Sequence, residues 1–322
     1  MFIIVLEIYY IYRYLIMVLA PIVLFVYNRP VHTQQTIKAL QKNELAKDST
    51  LYIFADGPKE NATDEQKEKI KQVREYIHQI DGFKQIIIYE SEQNIGCADS
   101  IIAGISSVLK KYENIIVVED DIVTSRYFLR FMNESLDFFE KDKMIFSVSG
   151  YNYPEKIMKI PRNYKNDIYL AYRHGAWGWG TWKDRWDKVD WKMIDFNSFL
   201  KNKKLQKAFN RGGSDMSEML KAQMDGKIDA WDIRFDFSLF KNNCFCVRPV
   251  KSLVNNVGLD NSGTHTGKDE RLNNILDNNW NPRIETVEPN KTILKNFRKV
   301  FNPPPRYSLK RFIGKVWKRI SK

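Results

Sequence analysis

The feature that most constrains this chain is the alternation of short apolar runs with longer amphipathic stretches between Pro21 and Val118. Read from Pro21, the periodicity predicts strand 22–27, helix 31–43, strand 51–55, helix 64–79, strand 83–89, helix 97–111 and strand 114–118. Asn28-Arg29-Pro30 is a helix-start signal, and Thr63 followed by Gln66 is the pattern of a capping box. Strands and helices alternating at this spacing build an α/β fold, a Rossmann-like, mostly parallel sheet with helices on both faces. In such a sheet the ligand crevice lies at the carboxyl ends of the strands.

The polar residues gather at those ends. Strand one delivers Asn28 and Arg29, strand two Asp56-Gly57-Pro58, strand three Glu90 to Gly96, and strand four Glu119-Asp120-Asp121. The run Ile115-Ile116-Val117-Val118 is buried in type and ends at once in three carboxylates. Carboxylates there can hold Mn²⁺ or Mg²⁺ that also binds substrate phosphates, or can be an ordinary acidic turn. No G-x-G-x-x-G follows strand one and no P-loop motif occurs anywhere, which disfavours dinucleotide and P-loop chemistry.

Composition narrows the field. With 322 residues, 43% hydrophobic and 13% aromatic, the chain is long and apolar enough for one large or two modest domains. A net charge of +12 calls for an anionic partner. Cys97, Cys244 and Cys246 have neither zinc-finger nor disulfide-framework spacing and fit a reducing compartment. The four histidines are scattered, so any metal must be held by carboxylates.

After Asp121 the pattern gives a helix over 125–140 and a strand over 144–149, closing a first half, 21–150. The second half, 151–290, is less regular. It holds a Trp-rich segment from His174 to Trp191, a Lys-rich helical stretch over 197–210, a helix over 231–240 and a strand over 244–249. Trp179, beside Gly178 and Gly180, is assigned to an acceptor or sugar pocket, with a buried core as the other reading of so many tryptophans within ten residues, and Trp182 and Trp186 are taken as packing. Residues 1–20 form an apolar extension interrupted by Glu7 and Arg13, either upstream of a start at Met17 or a short membrane anchor.

The segments P-I-V-L-F-V-Y-N-R-P, F-A-D-G-P and I-I-V-V-E-D-D-I-V together resemble GT-A glycosyltransferases. The closest likeness is to the N-acetylglucosaminyltransferase I family and its bacterial, family 2-like relatives. That resemblance implies a nucleotide-sugar-binding half at 21–150 and C-terminal acceptor-side elements. It implies Asp121 as the ligand to a Mn²⁺ (or Mg²⁺) carried with a UDP-sugar, with Glu119 and Asp120 on the ribose and sugar side. Arg29 would contact the nucleotide, Asp56 would accept from the uracil ring nitrogen, and Asn94 would sit in a turn beside the donor. Downstream, Ala230-Trp231-Asp232 followed by Cys246-Val247-Arg248-Pro249 resembles the family's W-D pair and C-V-R-P strand, which makes Asp232 the base and Asp236, one turn later, its rival. The loop from Asn255 to His265 resembles a mobile segment closing over the diphosphate, with donors from Ser262, Thr264 and His265.

The expected activity is an inverting, metal-dependent transfer of a sugar, N-acetylglucosamine among the candidates, to a saccharide or lipid-linked saccharide in bacterial surface glycan synthesis. A non-catalytic, membrane-associated saccharide-binding protein is the alternative from another class, and a sugar nucleotidyltransferase is disfavoured by the N-R-P-V-H-T loop. Residues 306–322 carry seven Lys or Arg and no acid, with Leu309, Phe312, Ile313, Val316, Trp317 and Ile320 at helical spacing. This basic amphipathic tail, within the segment 291–322, fits an anionic membrane surface and places the protein in the cytoplasm, peripheral to the inner face of the plasma membrane. Nucleic acid is not expected, because the excess charge is concentrated in the tail.

Overall fold

A computed structural model describes residues 18–260 and 270–302. Residues 1–17 of the N-terminal extension, the tail 306–322 and the loop donors Ser262, Thr264 and His265 lie outside the described residues.

The predicted alternation is present. Strand β1 (Ile22–Val26) is followed by helix α1 (Pro30–Gln41), β2 (Thr50–Ala55), α2 (Asp64–Ile77), β3 (Gln85–Glu90), α3 (Cys97–Leu109) and β4 (Asn114–Glu119). All five side chains of β1 are buried, as a strand covered on both faces requires. Pro30 opens α1 at a position where its missing N–H costs nothing. At α2 the capping box closes in both directions, Gln66 N to Thr63 Oγ1 at 3.2 Å and Thr63 N to Gln66 Oε1 at 3.0 Å.

Past β4 come β5 (Ile122–Thr124), α4 (Phe128–Phe138), β6 (Ile145–Ser149), β7 (Ile168–Ala171), β8 (Trp179–Trp182), α5 (Lys183–Trp186), α6 (Phe196–Lys201), α7 (Lys203–Phe209), α8 (Met216–Met224), α9 (Trp231–Lys241), β9 (Phe245–Pro249), β10 (Val254–Asn256) and α10 (Lys291–Val300). The Lys-rich stretch is therefore two helices and not one. The break falls at Asn202, whose Oδ1 accepts from Leu205 N at 2.9 Å and restarts the helix as its N-cap.

Eight strands form one sheet in the order β3-β2-β1-β4-β8-β6-β9-β7. The β3, β2, β1 and β4 strands run parallel, β8 is antiparallel to both its neighbours, β6 pairs β9 in parallel, and β7 is antiparallel to β9. Strands from both halves of the chain thus share one sheet. Residues Ile37, Leu40, Val73 and Ile77 of α1 and α2 cover one face, against Ile22, Leu24, Leu51 and Ile53. Helix α3 covers the other through Ile101, Ile105 and Val108, against Val23, Phe25, Ile115 and Val117.

The order positions the site. From β1 the chain steps outward to β2 and β3, then returns to place β4 on the opposite side of β1. The β1/β4 boundary is the switch point, the place where open α/β sheets bind their ligands. A separate two-stranded ribbon, β10 antiparallel to β5, lies just beyond the end of β4.

Candidate active site

Residues from β1 and β4 meet at the switch point. Glu119 is the last residue of β4, in register with Phe25 of β1, and the chain turns at Asp120-Asp121 into β5. Arg29, just past β1, inserts its guanidinium between the two aspartates. Its Nε lies 3.3 Å from Asp120 Oδ2, Nη2 pairs with Asp120 Oδ1, and Nη1 lies 2.9 Å from Asp121 Oδ2. Thr36 Oγ1 donates to the Asp120 carbonyl at 2.8 Å, tying the turn to α1.

Charge is out of balance at this turn. Burial, followed by the negative charges of Asp121 and Asp120, pushes the Glu119 carboxyl up to about 8, against the opposing pull of Arg29. Burial likewise raises Asp120 to about 6, although Arg29 draws it down. One guanidinium faces three acids, and Asp232 adds further negative charge at Glu119. Among the described residues no group of three or more His, Cys, Asp or Glu side chains is arranged to enclose a metal. A hard-oxygen donor set with surplus negative charge and few protein ligands fits Mg²⁺ or Mn²⁺ that takes its remaining ligands from a diphosphate.

The ribbon roofs the turn. Val257 N donates to the Asp121 carbonyl at 2.8 Å, and His32 Nε2 lies 3.1 Å from Asp260 Oδ2. Gly258 packs against Asp121 and Arg29 so closely that a Cβ would overlap the Asp121 carboxylate and come within 2.7 Å of Arg29 Nη1. This glycine is needed for close approach, a reason that loop composition alone does not reveal. Gly258→Ala is expected to destabilise the fold by about 1–3 kcal/mol through overpacking, read as a lower midpoint in chemical denaturation.

At the neighbouring strand ends, Asp56 Oδ1 accepts from Gly57 N at 2.9 Å and Ile95 N at 3.2 Å, and Oδ2 accepts from Asn94 Nδ2 at 2.9 Å. Asn94 also donates to the Gly57 carbonyl at 3.1 Å. The two residues therefore meet and fasten the loop after β2 to the loop after β3. Gly57 permits it, since a Cβ there would stand 2.6 Å from the backbone of Gln93.

The second half contributes the start of α9. Asp232 lies in its first turn, half-buried, close enough to Glu119, Asp236 and Cys97 that its charge raises all three. Asp229 was not expected here. Its Oδ2 accepts from Ala98 N at 3.4 Å at the start of α3, where the helix dipole favours a carboxylate.

Asp236, unlike the half-buried Asp232, is sealed in the core. It is 1% exposed and accepts from His174 N at 2.6 Å, and Arg173 Nε lies 3.9 Å away. Burial pushes its carboxyl up to about 8. In the folded protein Asp236 keeps its proton up to that pH, whereas in the unfolded chain it loses it near pH 4. Folding stability therefore falls as pH rises through this window. Asp236→Asn removes the effect, so between pH 5 and pH 8 the variant should gain at least about 1.4 kcal/mol on the wild type in denaturant titrations.

Trp179 requires a correction. It is 0% exposed, held in β8 between β4 and β6, and stacked on Trp231 at 5.2 Å and Trp186 at 6.3 Å with His174 edge-on at 4.6 Å. No ring face is left for a sugar. The aromatic cluster instead forms a floor on which Trp231, the first residue of α9, is stacked. Trp182 and Trp186 are buried in packing.

A family model described as the GNT-I family matches residues 11–211, more than half of the chain. No curated protein gives a match. Among solved structures the chain is similar to S. aureus TarS 1–349, at 12% identity and a TM-score of 0.42, covering 74% of this chain and 60% of that one. It is similar at the same identity and TM-score to S. aureus TarS, of which it spans 36%. Matched over most of its sheet, the chain belongs to the GNT-I family.

Proposed function

We propose that the protein transfers a sugar from a UDP-sugar to a saccharide or lipid-linked saccharide, with inversion and with the help of a divalent cation. The observation that carries this activity is the meeting of Arg29 and Glu119-Asp120-Asp121 at the β1/β4 switch point, with Asp232 near Glu119. A diphosphate needs positive charge and an inverting displacement needs one base behind the attacking oxygen.

Asp121 would hold Mn²⁺ or Mg²⁺, which when bound supplies charge to neutralise the departing diphosphate. Arg29, already lodged against Asp120 and Asp121, would share its guanidinium with phosphate oxygens. Glu119 and Asp120 would face the ribose and sugar, and Asp56, braced by Asn94, would meet the nucleobase. Asp232 would take the proton of the acceptor hydroxyl. Its half-buried place at the head of α9 supports that role over Asp236, which is sealed in the core. The segment 255–265 would close over the donor and exclude water, with Ser262, Thr264 and His265 donating to phosphate oxygens.

The acceptor is proposed to sit at the inner face of a bacterial membrane, reached through the basic tail 306–322. Among the described residues no helix is long and apolar enough to cross a membrane. Incubating the purified protein with Mn²⁺ and a panel of UDP-sugars, N-acetylglucosamine first, should release UDP. Release from none of them would leave a saccharide-binding role in its place.

A further inference from the structure

The far edge of the sheet from β3 carries a net positive charge. Beyond β7, the segment 153–167 and helix α10 pack together over Met158, Tyr169, Ile293 and Phe297. Asn296 Nδ2 donates to the Lys159 carbonyl at 2.9 Å, and Arg283 Nε reaches Asp167 Oδ2 at 3.1 Å. Residues 155–167 and 283–302 hold nine Lys or Arg against four Asp or Glu, a net of five. The described residues as a whole also net five, because seven of the chain's +12 lie in 303–322 and segments 1–17 and 261–269 are neutral. The rest of the body therefore sums to zero, its other basic run, 201–211 with five Lys or Arg, being balanced by acids elsewhere.

The arrangement is costly unless something meets it. On α10, Lys291, Lys295, Arg298 and Lys299 recur at i, i+4, i+7 and i+8, all exposed, opposite the buried Ile293 and Phe297. Like charges one turn apart repel, and Lys291 stands at the helix start, where the macrodipole disfavours a cation and no acid occupies the first turn. Lys156, Lys159, Arg162 and Lys165 are exposed beside it. None of these eight takes part in an ion pair among the described residues. The unit is seated on the body, with the Arg248 guanidinium 4.9 Å from the Phe297 ring and that of Arg173 3.9 Å from Phe301.

From these observations we propose that the α10 face docks flat on an anionic lipid surface. This extends the membrane part of the preceding reading from the tail to the folded body. Lipid is favoured over other polyanions because the chain continues from this face into 303–322, where six large apolar residues are interleaved with the seven cations, a composition suited to the headgroup boundary. The two segments then form one continuous contact, with the folded face setting the orientation of the catalytic body.

The test uses the full-length chain with vesicles of phosphatidylcholine, alone or with about one-third phosphatidylglycerol, at about 0.1 M salt. Lys156→Gln, Lys159→Gln, Lys291→Gln and Lys295→Gln, combined, should lower partition onto the anionic vesicles about tenfold or more while leaving UDP release from the donor unchanged. A second full-length variant, Lys310→Gln, Arg311→Gln, Lys315→Gln and Lys318→Gln, reports on the tail separately. Weakened binding by the first variant supports the folded face whatever the second does. Wild-type partition by the first variant overturns it, and if the second alone loses binding the tail reading survives without it. Equal binding of the wild type to neutral and anionic vesicles, or tighter binding to a single-stranded oligonucleotide than to either, also overturns the proposal.

Discussion

Replacing Asp232 with alanine is expected to lower turnover by about 10²- to 10⁴-fold, the range spanned by loss of a positioned general base. The donor KM should stay near its wild-type value, because the proposed donor site draws on residues from the β1, β2 and β4 ends and not on α9. Stability should change by about 1 kcal/mol, the usual size for a single substitution, since the side chain is only half-buried. This separation of turnover from stability distinguishes Asp232 from Asp236. Asp236→Asn acts on the pH dependence of folding, because its carboxyl is spent on the His174 backbone deep in the core. Steady-state kinetics with denaturant midpoints measured on the same preparations make the comparison. Near-normal turnover in Asp232→Ala would remove the base from α9 altogether.

The second large effect belongs to Asp121. Asp121→Ala removes the carboxylate proposed to hold the cation and leaves Arg29 paired with Asp120 alone. Several kcal/mol of transition-state stabilisation, about a thousandfold in turnover, should disappear. Raising the Mn²⁺ concentration should not restore it, because the missing group is a ligand and not affinity elsewhere in the site. Full rescue at high Mn²⁺ would show that Asp120 or Glu119 can take over as ligand, which the strand geometry opposes: Asp120 is already gripped by two nitrogens of Arg29 and its backbone by Thr36.

Much of this was legible in the sequence, and the reasons are local. Period-2 and period-3.6 patterns identified each element from β1 to β4, and buried-type runs ending in polar residues marked the strand ends that form the rim. Long-range pairing was not legible. Arg29 meets Asp120 across 91 residues, and nothing near either one in sequence announces it. Strand β8 was hidden because its four residues, Trp-Gly-Thr-Trp, look like a ligand platform by composition. Only the insertion of that segment between β4 and β6 shows that Trp179 is core and that Gly180, whose Cβ would stand 2.7 Å from the Ile115 carbonyl, is there to let the strands close. Gly258 was visible as a glycine, but its contact with Asp121 and Arg29 is a property of the ribbon that folds over them. Helix α10 did carry a signal, Pro289-Asn290 ahead of an amphipathic ten, with Asn290 Oδ1 accepting from Thr292 N and Ile293 N.

The central claim is that a cation and a diphosphate are bound together at the β1/β4 switch point through Asp121. Calorimetric titration of UDP into the full-length protein, with and without Mn²⁺, tests it most directly. The wild type should bind UDP at least about tenfold more tightly when Mn²⁺ is present, and Asp121→Asn should show no such gain. Equal UDP affinity with and without the cation in the wild type, or an undiminished Mn²⁺ gain in Asp121→Asn, would contradict it.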